Sequence, residues 1–381
     1  MAVAKFQAGD FVQILWHRPS LLSGCNMTDD RSSNQPAGTP AARFPVAAAP
    51  ESAQSSLAAL EADLSQMFES LRMAGMAAGI LRDRELWWFK GYGFADLADQ
   101  TPVTPDTPFH LASLTKTLAS TLLLQLVEQG KLDLDAPAAR FGIDLDSPSS
   151  ITVRHLFSHT SGGSPGERYR YDGARFGRLD QVVEQITGRS FKTNLEETFI
   201  RPLGLKNTGQ MDDDLETSLA SPYELNDAGD LVPGAYPTYF GSSAGLVASV
   251  SDYARYIVAL KEGRFLRPDT LAMARTPTKS TKGRDLPYGL GWFVETVGGT
   301  RLIWHYGYWD SVSTLVLMVP ERDLTFLAFA NSDALSRGFD LGDGHVVRSP
   351  AGAIFLDHFA PETKRSRKSS GFLDAIQHSF R

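Results

Sequence analysis

The sequence predicts an α/β fold in which an antiparallel sheet is flanked by helices and a mainly helical lobe is inserted between its strands. Three observations support this fold class. Apolar residues recur at helical spacing after Glu51, two apolar runs joined by a charged turn follow directly, and strand-like runs return from about residue 286. An opening helix followed by antiparallel strands is typical of helices packed on one sheet, whereas a doubly wound sheet alternates strands and helices.

Composition and charge narrow the class of protein. The chain has 381 residues, of which 42% are hydrophobic and 21% charged, as is typical of a globular protein with a sizeable core. Its net charge of −7 argues against nucleic-acid binding, which requires a concentrated basic face. There is no run of about 20 apolar residues, so we expect no transmembrane span. The single cysteine, Cys25, excludes a disulfide within the chain.

Residues 1–50 are expected to be a disordered extension or a signal and linker segment. Residues 22–25, which end in Cys25, have the small-residue pattern of a lipoprotein cleavage site, so a lipid anchor at this cysteine is one alternative. The apolar run before it is short and is interrupted by His17 and Pro19, which argues against a signal segment. The sequence leaves the cytoplasm and the periplasm open as locations.

Residues 51–130 are assigned to the first part of the α/β lobe. The opening helix has one apolar face with three- and four-residue spacing. The runs Met76–Leu81 and Leu86–Tyr92 are joined by a charged turn and predict a β-hairpin. A further helix is predicted over Ser113–Glu128. The apolar face of the opening helix comprises Leu57, Leu60, Leu64, Met67, Phe68 and Leu71.

Residues 131–238 are assigned to the helical lobe, because they contain short helical patterns and no evident strand pair. Residues 239–360 are expected to complete the α/β lobe and to end in a helix, followed by a basic tail at 361–381. A cleft between two such lobes is a common position for an active site. Four strands are predicted in the second part of the α/β lobe: Tyr288–Val294, Leu302–His305, Thr314–Val319 and Thr325–Ala330.

The sharpest chemical feature is Ser113-Leu114-Thr115-Lys116, at the start of a predicted helix. A serine hydroxyl is a poor nucleophile until a base removes its proton. Residues three apart share a helix face, so the Lys116 amine can reach the Ser113 oxygen, and burial would lower the lysine pKa. The helix N-terminus adds free N–H groups for an anionic intermediate. This spacing also arises by chance, and a polar helix start is then the alternative.

Longer sequence segments support a catalytic role for Ser113 and Lys116, because several of them occur together in one order along the chain. They are PDTPFHLASLTKTLASTLLLQLVEQGKLDLDAP at 105–137, ITVRHLFSHTSG at 151–162, PGERYRYDG at 165–173, YGLGW at 288–292 and WHYG at 304–307. From about residue 55 to 360 the chain resembles the serine β-lactamase-related superfamily, in the branch of class C β-lactamases, D-aminopeptidases and family VIII carboxylesterases. The resemblance implies a β-lactamase/DD-peptidase-like fold and acyl transfer on a serine.

The resemblance also implies roles for individual residues. Ser113 matches the family's nucleophile and Lys116 matches the lysine of the first motif. Tyr171 matches the tyrosine of the second motif, Tyr-x-Asn, and would share the serine proton with the lysine and pass it to the leaving group. Tyr169, two residues earlier, is the fallback assignment. A half-buried aromatic core residue is the alternative for either tyrosine.

The third family motif lies on a strand at the edge of the cleft. His305-Tyr306-Gly307 fits its His-x-Gly variant and is expected to contact substrate. Gly307 would let the substrate approach the strand closely. By the same resemblance, the main-chain N–H groups of Ser113 and Tyr308 would form the oxyanion hole.

Departures from the family pattern bear on the substrate. Gly173 stands where the family has Asn, so no side-chain amide is present there to hold a peptide-like acyl group. His305 replaces a permanent cation and would bind a substrate carboxylate less firmly at neutral pH. Asp310, close to the cleft strand, is also unusual. The changes at Gly173 and His305 favour a carboxylic ester over a β-lactam or a peptide.

Two competing patterns require consideration. Gly241–Gly245 matches the Gly-x-Ser-x-Gly nucleophile elbow with Ser243 as nucleophile, but no parallel series of strands and helices surrounds it. His155 and His159 lie four residues apart and could share a helix face, but no third zinc ligand is evident and no Glu follows the first His. They more simply cap a helix and fix a turn.

The sequence therefore predicts a serine hydrolase that cleaves esters of small molecules and requires no cofactor or metal. The alternative enzymes are a D-amino-acid peptidase or amidase and a weak β-lactamase. A non-catalytic penicillin-binding-like sensor or scaffold is the alternative from another class. The expected partner is a small-molecule ester or amide, with no nucleic acid, and the sequence leaves the oligomeric state open.

Overall fold

A seven-stranded antiparallel sheet organises the residues described by the structure, a computed structural model that covers 51–145, 151–215 and 217–366. The α-helices of these ranges are α1 (Glu51–Ser70), α2 (Lys116–Glu128), α3 (Val153–Phe157), α4 (Gly173–Gly177), α5 (Leu179–Thr187), α6 (Phe191–Leu195), α7 (Arg201–Leu203), α8 (Val250–Lys261), α9 (Pro268–Ala274) and α10 (Pro350–Phe359). The strands are β1 (Gly75–Arg82), β2 (Glu85–Asp96), β3 (Thr101–Pro102), β4 (Pro108–His110), β5 (Thr208–Gly209), β6 (Tyr223–Leu225), β7 (Leu231–Pro233), β8 (Val247–Ser249), β9 (Phe293–Val297), β10 (Thr300–Trp309), β11 (Val312–Val319) and β12 (Leu324–Ala330).

The main sheet joins two distant parts of the chain in the order β3-β2-β1-β12-β11-β10-β9. The predicted first hairpin is present, and its two turn residues, Asp83 and Arg84, both have positive φ (49° and 67°). Turns of this kind match the twist of the strands that they connect. The sheet is completed where β1 pairs antiparallel with β12, with Met76 opposite Ala330. The prediction of an antiparallel sheet flanked by helices is confirmed.

Helices cover both faces of this sheet, which explains why its central strands, β11 and β12, are buried along their whole length. Alternate side chains enter two different cores. Leu315 and Leu317 of β11 pack in the core that includes α1 and α10. Val316 and Met318 of the same strand pack in the core that includes α2 and α8. The helix that carries the Ser-x-x-Lys motif therefore lies against the sheet face to which the odd-numbered residues of β10, such as Ile303, also point.

The structure corrects two details of the predicted strands. Residues 288–292 were predicted as part of a strand, but pairing with β10 begins at Phe293. Gly291 has a φ of 82° and a side chain there would collide with Ser120 of α2, so this segment bends into the core instead. Residues 131–238 also contain β5, which pairs with β8, and the short hairpin β6–β7. These pairings are too short to leave a periodic pattern in the sequence.

Several predictions fall outside the described residues or are untested by them. The extension at 1–50, with Cys25, and most of the basic tail at 361–381 lie outside; residues 361–366 form a 3₁₀ turn. The described residues belong to one compact unit, and the division into an α/β lobe and a helical lobe stays a prediction. Within the described ranges, the longest apolar helical stretch falls short of what a bilayer crossing requires.

Candidate active site

Ser113 lies in a 3₁₀ turn, Ala112–Thr115, that runs directly into α2. Ala112, the preceding residue, has a φ of 46°, an uncommon backbone conformation for a residue with a side chain. The Nδ1 atom of His110 accepts a hydrogen bond from the Ala112 N–H (3.1 Å) and holds this conformation. Such strain collects at functional sites, where the surrounding structure must stabilise it. The Ser113 side chain is half-buried at this helix entrance.

Lys116 is fully buried one helical turn after Ser113. Its Nζ lies 2.9 Å from Ser113 Oγ and donates to the main-chain carbonyl oxygen of Ser243 (2.7 Å). The rings of Tyr171 and Phe176 lie 5.1 Å and 5.3 Å from the same nitrogen. Burial lowers the pKa of Lys116 to about 7, although the charge of a nearby carboxylate opposes this effect. A substantial fraction of the amine is therefore neutral near pH 7 and can accept a proton.

The structure brings Tyr171, rather than Tyr169, to this lysine. The Tyr171 hydroxyl is shielded from solvent and has no hydrogen-bond partner among the described residues. Burial raises its pKa well above 10; the nearby Ser113 hydroxyl opposes that rise, although the two hydroxyls do not form a well-aligned hydrogen bond here. Tyr169 instead donates to the carbonyl oxygen of Gly342 (2.9 Å). Tyr171 is thus a neutral phenol beside the candidate base.

His159 holds the main chain on both sides of Tyr171. Its carbonyl oxygen accepts the Arg170 N–H (2.9 Å), and its Nδ1 accepts the Asp172 N–H (3.1 Å). Its ring also stacks on the Tyr171 ring, with centroids 4.3 Å apart. Since Nδ1 is an acceptor, the neutral ring carries its proton on Nε2. Burial, together with the charge of Lys116, keeps the pKa of His159 well below 6.5.

His110 and His159 act in the same way on the two halves of the site. Each is buried, each accepts a main-chain N–H at Nδ1, and each leaves Nε2 without a partner among the described residues. Burial lowers the pKa of His110 to about 4, so this ring is neutral too. Sequence reasoning assigned His159 to a turn and did not single out His110. In the sequence, only their positions within the segments 105–137 and 151–162 could have indicated this role.

The prediction that His305 contacts a substrate carboxylate does not fit the structure. This side chain is completely buried. Its Nδ1–H lies 2.7 Å from the Tyr306 carbonyl oxygen, and its Nε2 lies 2.9 Å from the Tyr288 hydroxyl, so both nitrogens are engaged. Burial and the charge of Lys116 lower the pKa of His305 well below 6.5. A neutral ring with two fixed partners offers a substrate neither a charge nor a free donor.

The other predicted residues of the cleft strand have different environments. A side chain at Gly307 would collide with the Leu111 carbonyl oxygen and with Thr314, so glycine is required for packing of β10 against the chain before Ser113. Packing therefore explains the presence of glycine at this position without a close approach of substrate. Tyr306 is half-buried, whereas Tyr308 is 42% exposed.

Two further positions from the sequence lie close to the cleft. β9 stops pairing at Trp304, so the part of β10 that carries Tyr308 extends beyond its neighbour. Asp310 lies in the two-residue turn between β10 and β11. A side chain added at Gly173 would meet only Lys116 Nζ, at 3.9 Å, so the space expected from the missing Asn is open.

Neither competing constellation is assembled. Ser243 lies in a tight turn bridged between Gly241 and Ala244. In the described ranges, no strand leads directly into this turn and no βαβ unit surrounds it. Its contribution to the site is its carbonyl oxygen. His155 caps α3 through Thr152, while His159 follows the helix with a φ of 56°, so the two rings do not share a helix face. No group of three metal-ligating side chains is present among the residues that the structure describes.

Comparisons with known proteins find relatives of most of the described region. The chain is similar to esterase EstB of Burkholderia gladioli, with 26% identity over 313 residues that cover 63% of this chain and 79% of the relative. It is 24% identical over 286 residues to a D-aminopeptidase of Brucella ovis, which covers 66% of this chain and 55% of the relative. The chain thus spans little more than half the length of several curated relatives that it matches.

Solved structures and a family model identify the fold and the family. An octameric penicillin-binding protein homologue from Pyrococcus abyssi superposes with a TM-score of 0.72 at 20% identity, covering 81% of this chain and 79% of that chain. This likeness confirms the predicted β-lactamase/DD-peptidase-like fold. The Beta-lactamase family model matches residues 57–346, which is most of the chain. The protein therefore belongs to the beta-lactamase family.

Proposed function

We propose that this protein hydrolyses carboxylic esters of small molecules through an acyl-enzyme on Ser113. The observation that carries the proposal is the 2.9 Å contact between Ser113 Oγ and the buried Nζ of Lys116. A lysine amine is an effective general base only when its pKa lies near the working pH, and burial supplies that condition here. The contact to the Ser243 carbonyl oxygen fixes the direction of the amine.

In the first half-reaction, neutral Lys116 takes the proton of Ser113 as Oγ attacks the ester carbonyl carbon. The carbonyl oxygen becomes an anion, which the N–H groups of Ser113 and Tyr308 stabilise in this proposal. The N–H groups in the first turn of a helix lack acceptors within that helix, so the Ser113 N–H is suited to this role. The proton then passes from Lys116 through the Tyr171 phenol to the departing alkoxide, which leaves as an alcohol.

In the second half-reaction, water attacks the acyl-enzyme. The same groups act in reverse order: Lys116 accepts a proton from the water, and the Ser113 oxygen regains a proton as the carboxylic acid leaves. The high pKa of Tyr171 favours a phenol that relays a proton over a phenolate that acts as the resting base. No cofactor is part of this scheme.

An ester is favoured as the substrate because the contacts that an amide would use are missing. Gly173 provides no side-chain amide beside the acyl group, and the buried neutral His305 provides no cation for a carboxylate. An alkoxide is also a better leaving group than an amide nitrogen. The similarity to esterase EstB supports this choice. The similarity to a D-aminopeptidase keeps peptidase, amidase and weak β-lactamase activities as alternatives.

A non-catalytic sensor is the remaining alternative. Against it stands the lowered pKa of Lys116, whose buried amine is kept against a serine hydroxyl at the cost of desolvation. A scaffold gains nothing from that arrangement.

Labelling with a fluorophosphonate, followed by mass mapping of the adduct, tests the nucleophile. We expect one adduct on Ser113 and none in the Ser113→Ala variant; an adduct elsewhere, or none in the wild type, would contradict the proposal.

Comparison of kcat/KM for p-nitrophenyl butyrate, a D-alanyl peptide and nitrocefin tests the substrate class. We expect the ester to be preferred, and a preference for the peptide or for nitrocefin would select the corresponding alternative.

A further inference from the structure

A second cavity, of about 340 Å³, lies between the end of α8, helix α9 and the start of β10. Its lining combines cationic side chains with an apolar wall. None of these residues belongs to the candidate active site. The cationic residues are Lys261, Arg275 and Arg301, and the accessible apolar wall includes Pro268, Leu271 and Pro320.

The two arginines give this cavity an excess of positive charge. They lie close together: Arg301 donates from Nη2 to the Arg275 carbonyl oxygen, and its charge disfavours the charged form of Arg275. Neither guanidinium forms an ion pair with a carboxylate in the part of the chain that the structure describes. The other charges nearby are balanced, since Lys261 pairs with Asp323 (2.8 Å) and the lining residue Glu262 pairs with Arg84 (3.4 Å).

Arg275 also has donors that the described residues do not use. Its Nε and Nη2 atoms are shielded from solvent and have no hydrogen-bond partner among those residues. Its guanidinium carbon lies 5.3 Å from the centre of the Trp292 ring, which stabilises the charge in part. Burial lowers the pKa of Arg275 to about 10, so the group is still charged at neutral pH. A carboxylate in the cavity would stabilise this guanidinium charge, which burial disfavours.

We propose that this cavity binds an organic carboxylate, with the carboxylate between Arg275 and Arg301 and an apolar tail against Pro268, Leu271 and Pro320. The planar guanidinium group presents paired donors that match the two oxygens of a carboxylate. The apolar wall favours a ligand with a hydrocarbon part over a small inorganic anion, which would leave that wall in contact with water. This site is independent of the proposed esterase activity.

Isothermal titration calorimetry on the full chain tests this site, with hexanoate as the probe. Hexan-1-ol tests the need for a charge, and inorganic phosphate tests the need for a tail. The informative variant is Arg301→Met, which keeps the volume and removes the charge. The matched control is Arg140→Met, which removes an exposed arginine from a 3₁₀ turn remote from the cavity in sequence. Thermal unfolding of each variant checks that it is folded.

We expect saturable binding of hexanoate to the wild type. Arg301→Met should weaken the affinity for hexanoate about tenfold or more, because one charge-assisted hydrogen bond is lost. Arg140→Met should bind like the wild type, and hexan-1-ol and phosphate should bind more weakly. Absence of saturable hexanoate binding would overturn the site, and so would equal binding by the two variants. Phosphate binding as tight as that of hexanoate would overturn the role of the apolar wall. If Arg301→Met fails to fold, Arg301→Lys replaces it, since lysine keeps the charge but loses the paired donors and should still weaken binding.

Discussion

Two serines touch the same lysine, and they do so in opposite ways. Ser113 presents its hydroxyl to Lys116 Nζ, whereas Ser243 presents its main-chain carbonyl oxygen. Each serine also lies near a partly buried tyrosine, Tyr171 for the first and Tyr239 for the second, and burial raises the pKa of each tyrosine. Both serines belong to plausible hydrolase motifs. Of the two serines, Ser113 is the one whose hydroxyl faces a group able to accept its proton, which nucleophilic catalysis requires.

The surroundings of Ser243 are those of a structural turn. The N–H of Ser242 and the hydroxyl of Tyr239 both donate to the carboxylate of Asp180, which ties the turn to α5. The turn therefore holds a carbonyl oxygen in place for Lys116. Ser113, in contrast, lies at a helix entrance with a strained residue before it and a half-exposed hydroxyl.

Replacement of each serine by alanine gives the largest expected difference. Ser113→Ala should lower kcat for p-nitrophenyl butyrate by at least about 10⁴-fold, because no other nucleophile is held against the base. Ser243→Ala should stay within about threefold of the wild type, since it retains the carbonyl oxygen. Steady-state kinetics with active-site titration checks both. A larger loss of kcat in Ser243→Ala than in Ser113→Ala would contradict the assignment of Ser113 as the nucleophile.

Replacement of the neighbouring tyrosines, Tyr171 and Tyr239, tests the same contrast between Ser113 and Ser243. Tyr171→Phe should lower kcat by about 10²- to 10³-fold, because the proton relay to the leaving group is lost while the ring packing is kept. Tyr239→Phe is the matched control and should change kcat only a few-fold. Esters with better leaving groups should be less affected by Tyr171→Phe, because they need less protonation. Equal sensitivity across a leaving-group series would argue against the relay.

The pH profile tests whether the lysine amine is the base. Its pKa is lowered to about 7, and only the neutral form accepts a proton. Below that pH, kcat/KM should fall about tenfold per unit, to about a hundredfold at pH 5, and it should level off above pH 7. The free-enzyme profile of Ser243→Ala should have the same midpoint. A profile that is flat between pH 5 and 8 would be incompatible with Lys116 as the base.

The two buried histidines provide a test of positioning. His159→Phe keeps a ring against Tyr171 but removes the acceptor for the Asp172 N–H, and should lower kcat about tenfold with little change in KM. His159→Asn offers an acceptor near the Nδ1 position, and asparagine tolerates the positive φ at this residue, so it should recover most of the activity. A purely structural role would predict equal losses in the two variants, together with losses in thermal stability.

The smallest expected effect concerns the substrate preference. Gly173→Asn places an amide in open space beside Lys116 and should shift the ratio of amide to ester hydrolysis a few-fold toward amides. The measurement is kcat/KM for a matched ester and anilide of the same acid. An unchanged ratio would show that Gly173 does not set the preference for esters.

Local patterns predicted the elements that the sequence marks strongly. The first hairpin, the helix after Ser113 and strands β10–β12 all carry apolar periodicity or turn residues, and they lie where expected, with small shifts at their ends. The 288–292 segment misled the strand prediction because its apolar residues serve a bend packed on α2. Strands β5–β7 are two or three residues long, which is below the length at which a period can be recognised.

The same limit applies within the site. The spacing of Ser113 and Lys116 follows from the geometry of a helix turn and was predictable. The contact from Ser243 joins residues that are 127 positions apart in sequence, and no spacing rule reaches that far. His305 was expected at the cleft because a sequence match gives a position on a strand. A sequence match does not show that Tyr288, which comes from another segment, forms a hydrogen bond with the His305 ring.

The pairing of β1 with β12 has a consequence for the synthesis and folding of this protein. Asp83 and Asp323, which are 240 residues apart, meet beside this strand pair. While the chain leaves the ribosome, the β1–β2 hairpin therefore presents an unpaired apolar edge until almost all of the main sheet has been synthesised. Such edges invite association between nascent chains, and the closure of so long a loop is slow. Ser113 is translated early but gains its finished surroundings late, so we expect the growing polypeptide to depend on holding chaperones.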